Sequence, residues 1–352
     1  MNYKETLFFV AKCLTISHEE ENKKLVEEKI VSGSVNWDNV VKLSTSHFVF
    51  PALYCNLKRA DFLQYLPNDL VEYMQHITQL NRERNEQIIK QAKEINQLLL
   101  DNGITPIFLK GTGNLLEGLY EDIAERMVGD IDFLVSKKDF KPCIQVLKKN
   151  GYLEKTKDFL DNTILNRHYP KITKEGKIAA LEVHYKMITN EKYFNYKSII
   201  QNIKLIQKNI SILSYSDQVL MTSYNKQIND KGQWYKNISL RNSYDLFLVS
   251  KHTNVKNTLE RHKSSQNKYL INFLASSSLI FNLPKSLYYE KTPTTNNFLK
   301  KQLNFIETPS KSSFNKRLWD FLFLYKNRFS VLLYSFYNKE YRKYLSEKLF
   351  KN

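Results

Sequence analysis

The chain has 352 residues, 42% hydrophobic and 13% aromatic, enough to bury a sizeable core, which excludes wholesale disorder. Its formal net charge is +17, and three widely spaced cysteines without metal-ligand spacing argue against a disulfide framework or a zinc site. The N-terminus has no signal-peptide pattern and no apolar stretch reaches the roughly 18 residues of a membrane span, so we expect a cytoplasmic protein without a membrane partner.

The first 100 residues have a mostly helical pattern. Apolar residues recur at helical spacing over residues 72–101, and Asp101-Asn102-Gly103 is typical of a helix end. A mixed pattern follows, with strands predicted over residues 104–109, 130–135 and 178–187 and helices over residues 113–120 and 138–149. This alternation predicts a small mixed α/β core over residues 101–190.

The pattern is helical again beyond residue 190, with helices predicted over residues 218–227, 240–252, 267–281, 318–337 and 341–350. Between two of these, residues 283–317 contain three prolines and a Thr- and Asn-rich run, which predicts a loop or connector. The predicted fold class is therefore α+β, with a small mixed-sheet core between a helical N-terminal region (1–100) and a larger, basic, helical C-terminal region (191–352).

Two aspartates alternate with apolar residues in the predicted strand 130–135. Side chains along a strand point to opposite faces in turn, so Asp130 and Asp132 share the face opposite the core. Neighbouring carboxylates repel each other unless a cation lies between them, and Mg²⁺ prefers carboxylate oxygen. The alternative is a solvent-exposed edge strand with no ligand.

The predicted strand 178–187 carries a second polar pair, Glu182 and His184, on one face. If this strand lies beside the first, Glu182 completes a three-carboxylate cluster with Asp130 and Asp132. Such a cluster suits two-metal chemistry at phosphorus. His184 shares the face of Glu182 and is a candidate accessory residue, although a structural role is equally open.

A glycine-containing turn joins the predicted strand 104–109 to the next helix. Backbone N–H groups at such a turn can bind phosphate, and Lys110, Gly111, Thr112 and Gly113 occupy it. Gly-rich turns of this kind are also common for structural reasons alone. Arg126 is a partner for the acidic residues around it, or it binds phosphate or orients the aspartates.

These residues together resemble the uncharacterised nucleotidyltransferase family of the polymerase-beta-type nucleotidyltransferase superfamily. The resemblance covers about residues 45–260, and its specific motifs lie in GITPIFLKGTGNLLEGLYEDIAERMVGDIDFLV, HYPKI and ALEVHYKM. It implies metal binding by Asp130, Asp132 and Glu182 and phosphate binding at Gly111 and Thr112. Lys110-Gly111-Thr112 departs from the Gly-Ser of the wider superfamily, and His168 joins His184 as a possible accessory residue.

We therefore expect a metal-dependent enzyme that uses Mg²⁺ or Mn²⁺ and moves a nucleotide from a nucleoside triphosphate, with ATP a candidate, to an acceptor hydroxyl. The acceptor is a small molecule, a protein or an RNA. The alternative is a nucleic-acid or phosphoprotein binding module on a residual core of this fold.

The second half of the chain bears on that alternative. Residues 1–190 carry 26 basic and 26 acidic side chains, whereas residues 191–352 carry 27 and 10. Basic side chains alternate with aromatic ones over residues 316–344, a pattern found in polynucleotide-binding surfaces. Because aromatic residues of amphipathic helices usually pack inside, we expect most of these aromatic side chains to form core, and a polyanion partner remains an open possibility for the basic surface.

Overall fold

The structure is a computed structural model, and it describes residues 1–154, 167–188, 194–261, 267–281 and 285–350. Within these residues a mixed seven-stranded sheet lies between an N-terminal and a larger C-terminal set of helices. The predicted α+β class is confirmed. The sheet also takes two strands from beyond residue 190, while the division into three regions stays a prediction.

Helices fill most of the first 100 residues, as expected. They are α1 (Tyr3–Cys13), α2 (Glu20–Val31), α3 (Trp37–Ser46), α4 (Phe50–Arg59) and α5 (Asn68–Leu100). α5 has 33 residues and ends before Gly103, whose φ of +71° lies in the left-handed region that glycine favours. This is the helix end that the Asp-Asn-Gly sequence predicted.

The long helix α5 also holds the loop that leads into the central sheet. Asn81 Nδ2 donates to Ala124 O at 2.7 Å, and Asn85 Nδ2 donates to Arg126 O at 2.7 Å. Both asparagines are buried. Since buried main-chain carbonyls need a partner, these amides fix the loop.

The strands are β1 (Ile107–Phe108), β2 (Asp130–Leu134), β3 (Leu153–Glu154), β4 (Ile172–Thr173), β5 (Ala180–His184), β6 (Lys204–Ile206) and β7 (Ile210–Ile212), and the helices among them are α6 (Lys110–Glu117), α7 (Phe140–Lys149) and α8 (Tyr196–Ile200). Their order in the sheet is β3-β4-β5-β2-β1-β7-β6. β2 pairs with β5 in parallel and with β1 antiparallel. Ile131, Phe133, Leu181 and Val183 on these central strands are 0% exposed and form core.

The remaining helices are α9 (Tyr215–Tyr224), α10 (Gly232–Tyr235), α11 (Leu240–Ser250), α12 (Val255–Arg261), α13 (Asn267–Ile280), α14 (Pro293–Glu307), α15 (Pro309–Tyr337) and α16 (Lys339–Phe350). A short π-helix, Asn225–Asn229, continues α9. None of the helices in the described part of the chain combines the length and hydrophobicity that crossing a bilayer requires.

The predicted connector over residues 283–317 is wrong for most of its length. Residues 283 and 284 lie outside the described residues, but α14 and the start of α15 occupy residues 293–307 and 309–317. Pro293 and Pro309 each stand in the first turn of a helix. Proline is tolerated there because a backbone N–H at that position would have no partner within the helix. The Thr292 side chain caps α14 by accepting from Thr295 N at 3.2 Å.

The prediction that most aromatic residues of residues 316–344 form core is also wrong. Tyr341 is wholly buried, yet five of the ten aromatic side chains lie in solvent, with exposures of 51–89%. These five are Phe321, Tyr325, Phe329, Phe336 and Tyr337. The reason is that α15 packs along one narrow face only, and Ser335 is its one buried residue.

Candidate active site

Strands β2 and β5 place the predicted acidic residues side by side. The two strands pair in parallel register, with Asp132 opposite Glu182 and Leu134 opposite His184. Because side chains alternate along a strand, Asp132 and Glu182 point to the face opposite the buried Ile131 and Val183. The expected adjacency of the two strands is what brings the carboxylates together.

Asp132, Glu182 and His184 form a compact, buried group. His184 Nε2 lies 2.9 Å from Asp132 Oδ1 and 3.0 Å from Glu182 Oε2. One ligand atom of each residue lies within 4.8 Å of the others. The two carboxylates suit a divalent cation such as Mg²⁺ or Mn²⁺, whereas an imidazole nitrogen is a ligand that softer transition metals prefer. Asp132 and Glu182 therefore fit the implied metal, and His184 fits it less well.

Lys110 supplies the positive charge that this group needs. Its Nζ lies 2.7 Å from Asp132 Oδ1 and 3.5 Å from Glu182 Oε2. Burial lowers the pKa of Lys110, but the carboxylates of Asp132 and Glu182 outweigh that effect and raise it overall. Burial raises the pKa of Glu182, yet the His184 hydrogen bond and the Lys110 charge bring it far below its usual value. The carboxylate of Glu182 is thus held ionised.

Asp130 stands at the edge of this group. Its Oδ2 accepts from Lys171 Nζ at 2.6 Å, and its side chain is 24% exposed. The Thr112 hydroxyl donates to the main-chain oxygen of Asp130 at 3.1 Å, which ties α6 to β2. The compact group is therefore Asp132, Glu182 and His184, with Asp130 paired to an exposed lysine beside it.

His168 lies next to the same group. Its Nδ1 is 3.8 Å from Glu182 Oε1 and 2.9 Å from Tyr169 O, and its ring centroid is 5.1 Å from that of His184. Burial lowers the pKa of His168, and the Glu182 carboxylate only partly offsets this. Both histidines that the sequence singled out thus contact Glu182.

The glycine-containing turn is the first turn of α6. Lys110 begins the helix with a φ of +52°, an uncommon conformation for a residue with a side chain. A Cβ on Gly113 would lie 2.9 Å from Phe108 O, so the helix packs against β1 at a distance that only glycine permits. The first N–H groups of a helix have no partner within the helix, so this turn can bind an anion beside the carboxylates.

Arg126 has a partner that neither sequence interpretation foresaw. Its Nε and Nη2 lie 3.0 and 2.9 Å from Asp245 Oδ2, on helix α11, and the Tyr120 hydroxyl donates to Asp245 Oδ1 at 2.6 Å. A Cβ added to Gly111 would lie 3.5 Å from the Arg126 guanidinium. Arg126 therefore lies beneath the glycine turn and links it to α11.

Asp245, Tyr120 and Lys171 complete the surroundings of the site and were missed by sequence reasoning. Lys171 belongs to the HYPKI motif, and Asp245 lies in a segment, residues 240–248, that faintly resembles the family pattern. Those two signals were available in the sequence. The pairing of Arg126 with a residue 119 positions away was not.

A mixed sheet that carries D-x-D and E-x-H on adjacent strands, next to a glycine-containing helix start, defines a nucleotidyltransferase-type core. The chain belongs to the family of uncharacterised nucleotidyltransferases, whose family model matches residues 33–267. The match confirms the resemblance. Searches of curated proteins and of solved structures found no match to the chain.

Proposed function

We propose that the protein transfers a nucleoside monophosphate from a nucleoside triphosphate to an acceptor hydroxyl, releases pyrophosphate, and requires Mg²⁺ or Mn²⁺. The observation that carries this proposal is the convergence of Asp132, Glu182 and His184 beside the first turn of α6. Family membership supports the same class of reaction.

Asp132, Glu182 and His184 would hold the metal, joined by Asp130 when its carboxylate leaves Lys171. When bound, such a metal neutralises charge on the phosphates and lowers the pKa of a coordinated hydroxyl. The carboxylates would fix the position of that cation, and the buried setting strengthens each electrostatic contact because little water screens it.

The first turn of α6 would bind the β- and γ-phosphates. Its first N–H groups, at Gly111 and Thr112, would face an anion at the helix start, whereas the N–H of Gly113 donates to Leu109 O at 3.0 Å. Lys110 can exchange Asp132 for a phosphate oxygen, since its side chain is 23% exposed and has three N–H donors. Arg126 would support this turn from below.

In the reaction, the acceptor oxygen forms a bond to the α-phosphorus while the bond from that phosphorus to the bridging oxygen of the β-phosphate breaks. The acceptor proton is released to solvent, and the electron pair of the broken bond leaves with pyrophosphate. His168 and His184 hold Glu182 in position through their contacts with its two oxygens.

The test is thermal unfolding of the wild type and of Asp132→Asn with each of the four common nucleoside triphosphates, with and without Mg²⁺. Ligand at about 100 times its Kd stabilises a native state by roughly 2.7 kcal/mol, which is a rise of several degrees. We expect a Mg²⁺-dependent rise with at least one nucleotide that Asp132→Asn abolishes. The exposed-residue variant Asp101→Asn should retain it, and no rise with any nucleotide would contradict the proposal.

A second candidate function, binding of a polyanion such as RNA, is favoured by one observation. Phe321, Tyr325 and Phe329 on α15 are 51–61% exposed, and the Arg328 guanidinium lies 5.9 Å from the Tyr325 ring centroid. Exposed aromatic rings among basic side chains can stack on bases while cations contact phosphates. This binding would ignore both Mg²⁺ and Asp132.

A further inference from the structure

Three basic side chains outside the glycine turn are withdrawn from solvent: Lys226 is buried, and Arg167 and Arg241 are half-buried. Lys226 is 5% exposed, and its Nζ donates to Asn237 Oδ1 at 3.0 Å. Arg167 Nη1 donates to Met187 O at 3.2 Å, and the buried Nε of Arg241 has no hydrogen-bond partner among the described residues. In the part of the chain that the structure describes, none of the three forms an ion pair with a carboxylate, whereas Arg126 does.

These three cations border the candidate active site. Arg167 O accepts from Tyr185 N at 3.1 Å, so Arg167 runs beside the strand that carries Glu182. Asn229 Nδ2 donates to Met187 O at 3.3 Å, the same carbonyl that Arg167 contacts. This contact attaches the π-helix, and Lys226 within it, to the end of β5.

The carboxylate of Asp230, an exposed residue, interacts electrostatically with these cations. Partial desolvation of the carboxyl group raises the pKa of Asp230, and the charges of Lys226, Lys110, Arg241 and Arg167 only partly oppose this. Burial in turn lowers the pKa of Lys226 to about 8 and that of Arg241 to about 10. Outside the catalytic group, Asp230 and Asp245 are the acids that act on these cations, and Asp245 is already paired with Arg126, so the cluster keeps an excess of positive charge.

The backbone around Lys226 is irregular in a way that fixes its side chain. The π-helix Asn225–Asn229 is a rare element that is frequent at functional sites. Lys231 and Lys236 have φ values of +58° and +56°. A Cβ on Gly232 would lie 2.7 Å from Lys226 O, so the chain folds tightly over Lys226. Such strain is retained where it positions functional groups.

Withdrawing a cation from water without an ion-pair partner costs free energy, and an anion that binds between such cations reduces that cost. A phosphate monoester, with a charge of about −1.5 to −2 at neutral pH, matches the excess positive charge. The attacking and leaving oxygens are roughly in line in phosphoryl transfer. With the leaving phosphates at the α6 turn, the acceptor lies on the Glu182 side, where Arg167 and Lys226 stand.

We infer that Arg167, Lys226 and Arg241 bind a phosphate group carried by the acceptor, so that the acceptor is a phosphorylated molecule. This inference rests on the proposed nucleotidyl transfer. It names a recognition site formed largely by the C-terminal helical region, next to the carboxylates of the candidate active site.

The experiment is calorimetric titration of the full chain with inorganic phosphate at constant ionic strength. We expect phosphate to bind the wild type and the surface variant Lys256→Met alike, and to bind Lys226→Met and Arg241→Met at least tenfold more weakly. Unfolding curves identify which variants are folded, and Lys226→Gln replaces Lys226→Met if the latter does not fold. Equal phosphate binding by folded variants at both positions would overturn the inference.

A second titration is made with nucleoside triphosphate and Mg²⁺ present. Phosphate that still binds, and still depends on Lys226, supports an acceptor site separate from the nucleotide. Phosphate that is displaced by the nucleotide assigns the cations to the triphosphate and overturns the acceptor assignment. Lys226-dependent phosphate binding in a protein that binds no nucleotide would instead contradict the proposed nucleotidyl transfer alone.

Discussion

Lys110 is the residue on which the charge balance of the candidate site depends. Its ammonium lies 2.7 Å from Asp132 and 3.5 Å from Glu182, in the position that a bound cation would share. Two buried carboxylates without this charge repel each other, while the contacts of His184 remain. The Lys110 ammonium and a bound metal would therefore both stabilise the folded protein by reducing the repulsion between the two carboxylates.

We predict that Lys110→Met lowers the free energy of unfolding by about 2–4 kcal/mol in metal-free buffer, since breaking a largely buried ion pair leaves charge uncompensated. Millimolar Mg²⁺ or Mn²⁺ should restore much of this loss and should stabilise the variant more than the wild type. Urea unfolding with and without metal measures both effects. Lys90→Met, at an exposed position of α5, is the control.

If neither Lys110→Met nor the wild type gains stability from Mg²⁺ or Mn²⁺, the carboxylates do not form a metal site. A variant that is as stable as the wild type without metal would show that Lys110 does not compensate their charge. The two outcomes are independent, because the first concerns metal binding and the second concerns the ion pair.

For individual residues, the sequence predicted the contacts that strand periodicity determines. Asp132, Glu182 and His184 share a face because alternation and a parallel register place them there. The partners of Asp130 and Arg126 could not be predicted in this way. Lys171 and Asp245 reach them from distant parts of the chain, and such contacts depend on packing rather than on local spacing.

Helix α6 and strand β1 form the element that positions the glycine turn. The close approach of Gly113 to Phe108 O lets α6 begin directly beside β2, where Thr112 hydrogen-bonds the main chain of Asp130. Nearby Gly129 provides a contrast, because a Cβ there would meet no atom within 4 Å. Comparing alanine substitutions at Gly113 and Gly129 therefore distinguishes the effect of tight packing from the general effect of replacing a glycine.

We predict that Gly113→Ala lowers the free energy of unfolding by about 1–3 kcal/mol, as overpacking against backbone does, and weakens nucleotide-dependent stabilisation. Gly129→Ala should change stability by less than about 0.5 kcal/mol. Urea unfolding measures the first effect and thermal shifts with nucleotide and Mg²⁺ measure the second. A Gly113→Ala protein with wild-type stability would show that the approach of α6 to β1 is not tight.

Element prediction succeeded where periodicity is strong and failed where proline was interpreted as a break. The central strands and α5 follow regular apolar spacing, and all are present. Pro293 and Pro309 stand at the starts of helices. Proline is common at the first position of a helix as well as in loops, so its presence alone does not predict a break. Only the preceding Thr292 cap distinguished the two possibilities for α14.

On the scale of the whole molecule, the charge is uneven and its most exposed aromatic residues lie in the basic half. Residues 1–190 are neutral overall, and residues 191–352 carry the entire +17. α15 belongs to this positively charged half and carries exposed aromatic rings, with Phe321, Phe329 and Phe336 exposed by 56%, 61% and 68%. α15 packs on α10 through the Trp234 and Phe323 rings, whose centroids lie 5.2 Å apart, and its exposed rings point away from that contact.

We predict that the full chain binds a single-stranded oligonucleotide, such as a 20-residue oligouridylate, in the absence of Mg²⁺. The binding constant should fall steeply as salt rises, because each neutralised phosphate releases about 0.7 counterions from a single strand. Fluorescence anisotropy over a range of salt concentrations measures the slope. Asp132→Asn should bind like the wild type, since the carboxylates lie in the sheet.

Two variants of α15 separate the contributions of charge and stacking. Arg328→Gln should reduce the salt slope by roughly one phosphate contact, whereas Tyr325→Ala should weaken binding about fivefold or more at every salt concentration, since loss of a stacked base costs about 1–3 kcal/mol. Tyr288→Ala removes another tyrosine, 66% exposed and outside α15, and is the matched control. Equal losses in Tyr325→Ala and Tyr288→Ala would show that α15 is not the binding surface, and the excess charge of the second half would then act only as a diffuse field.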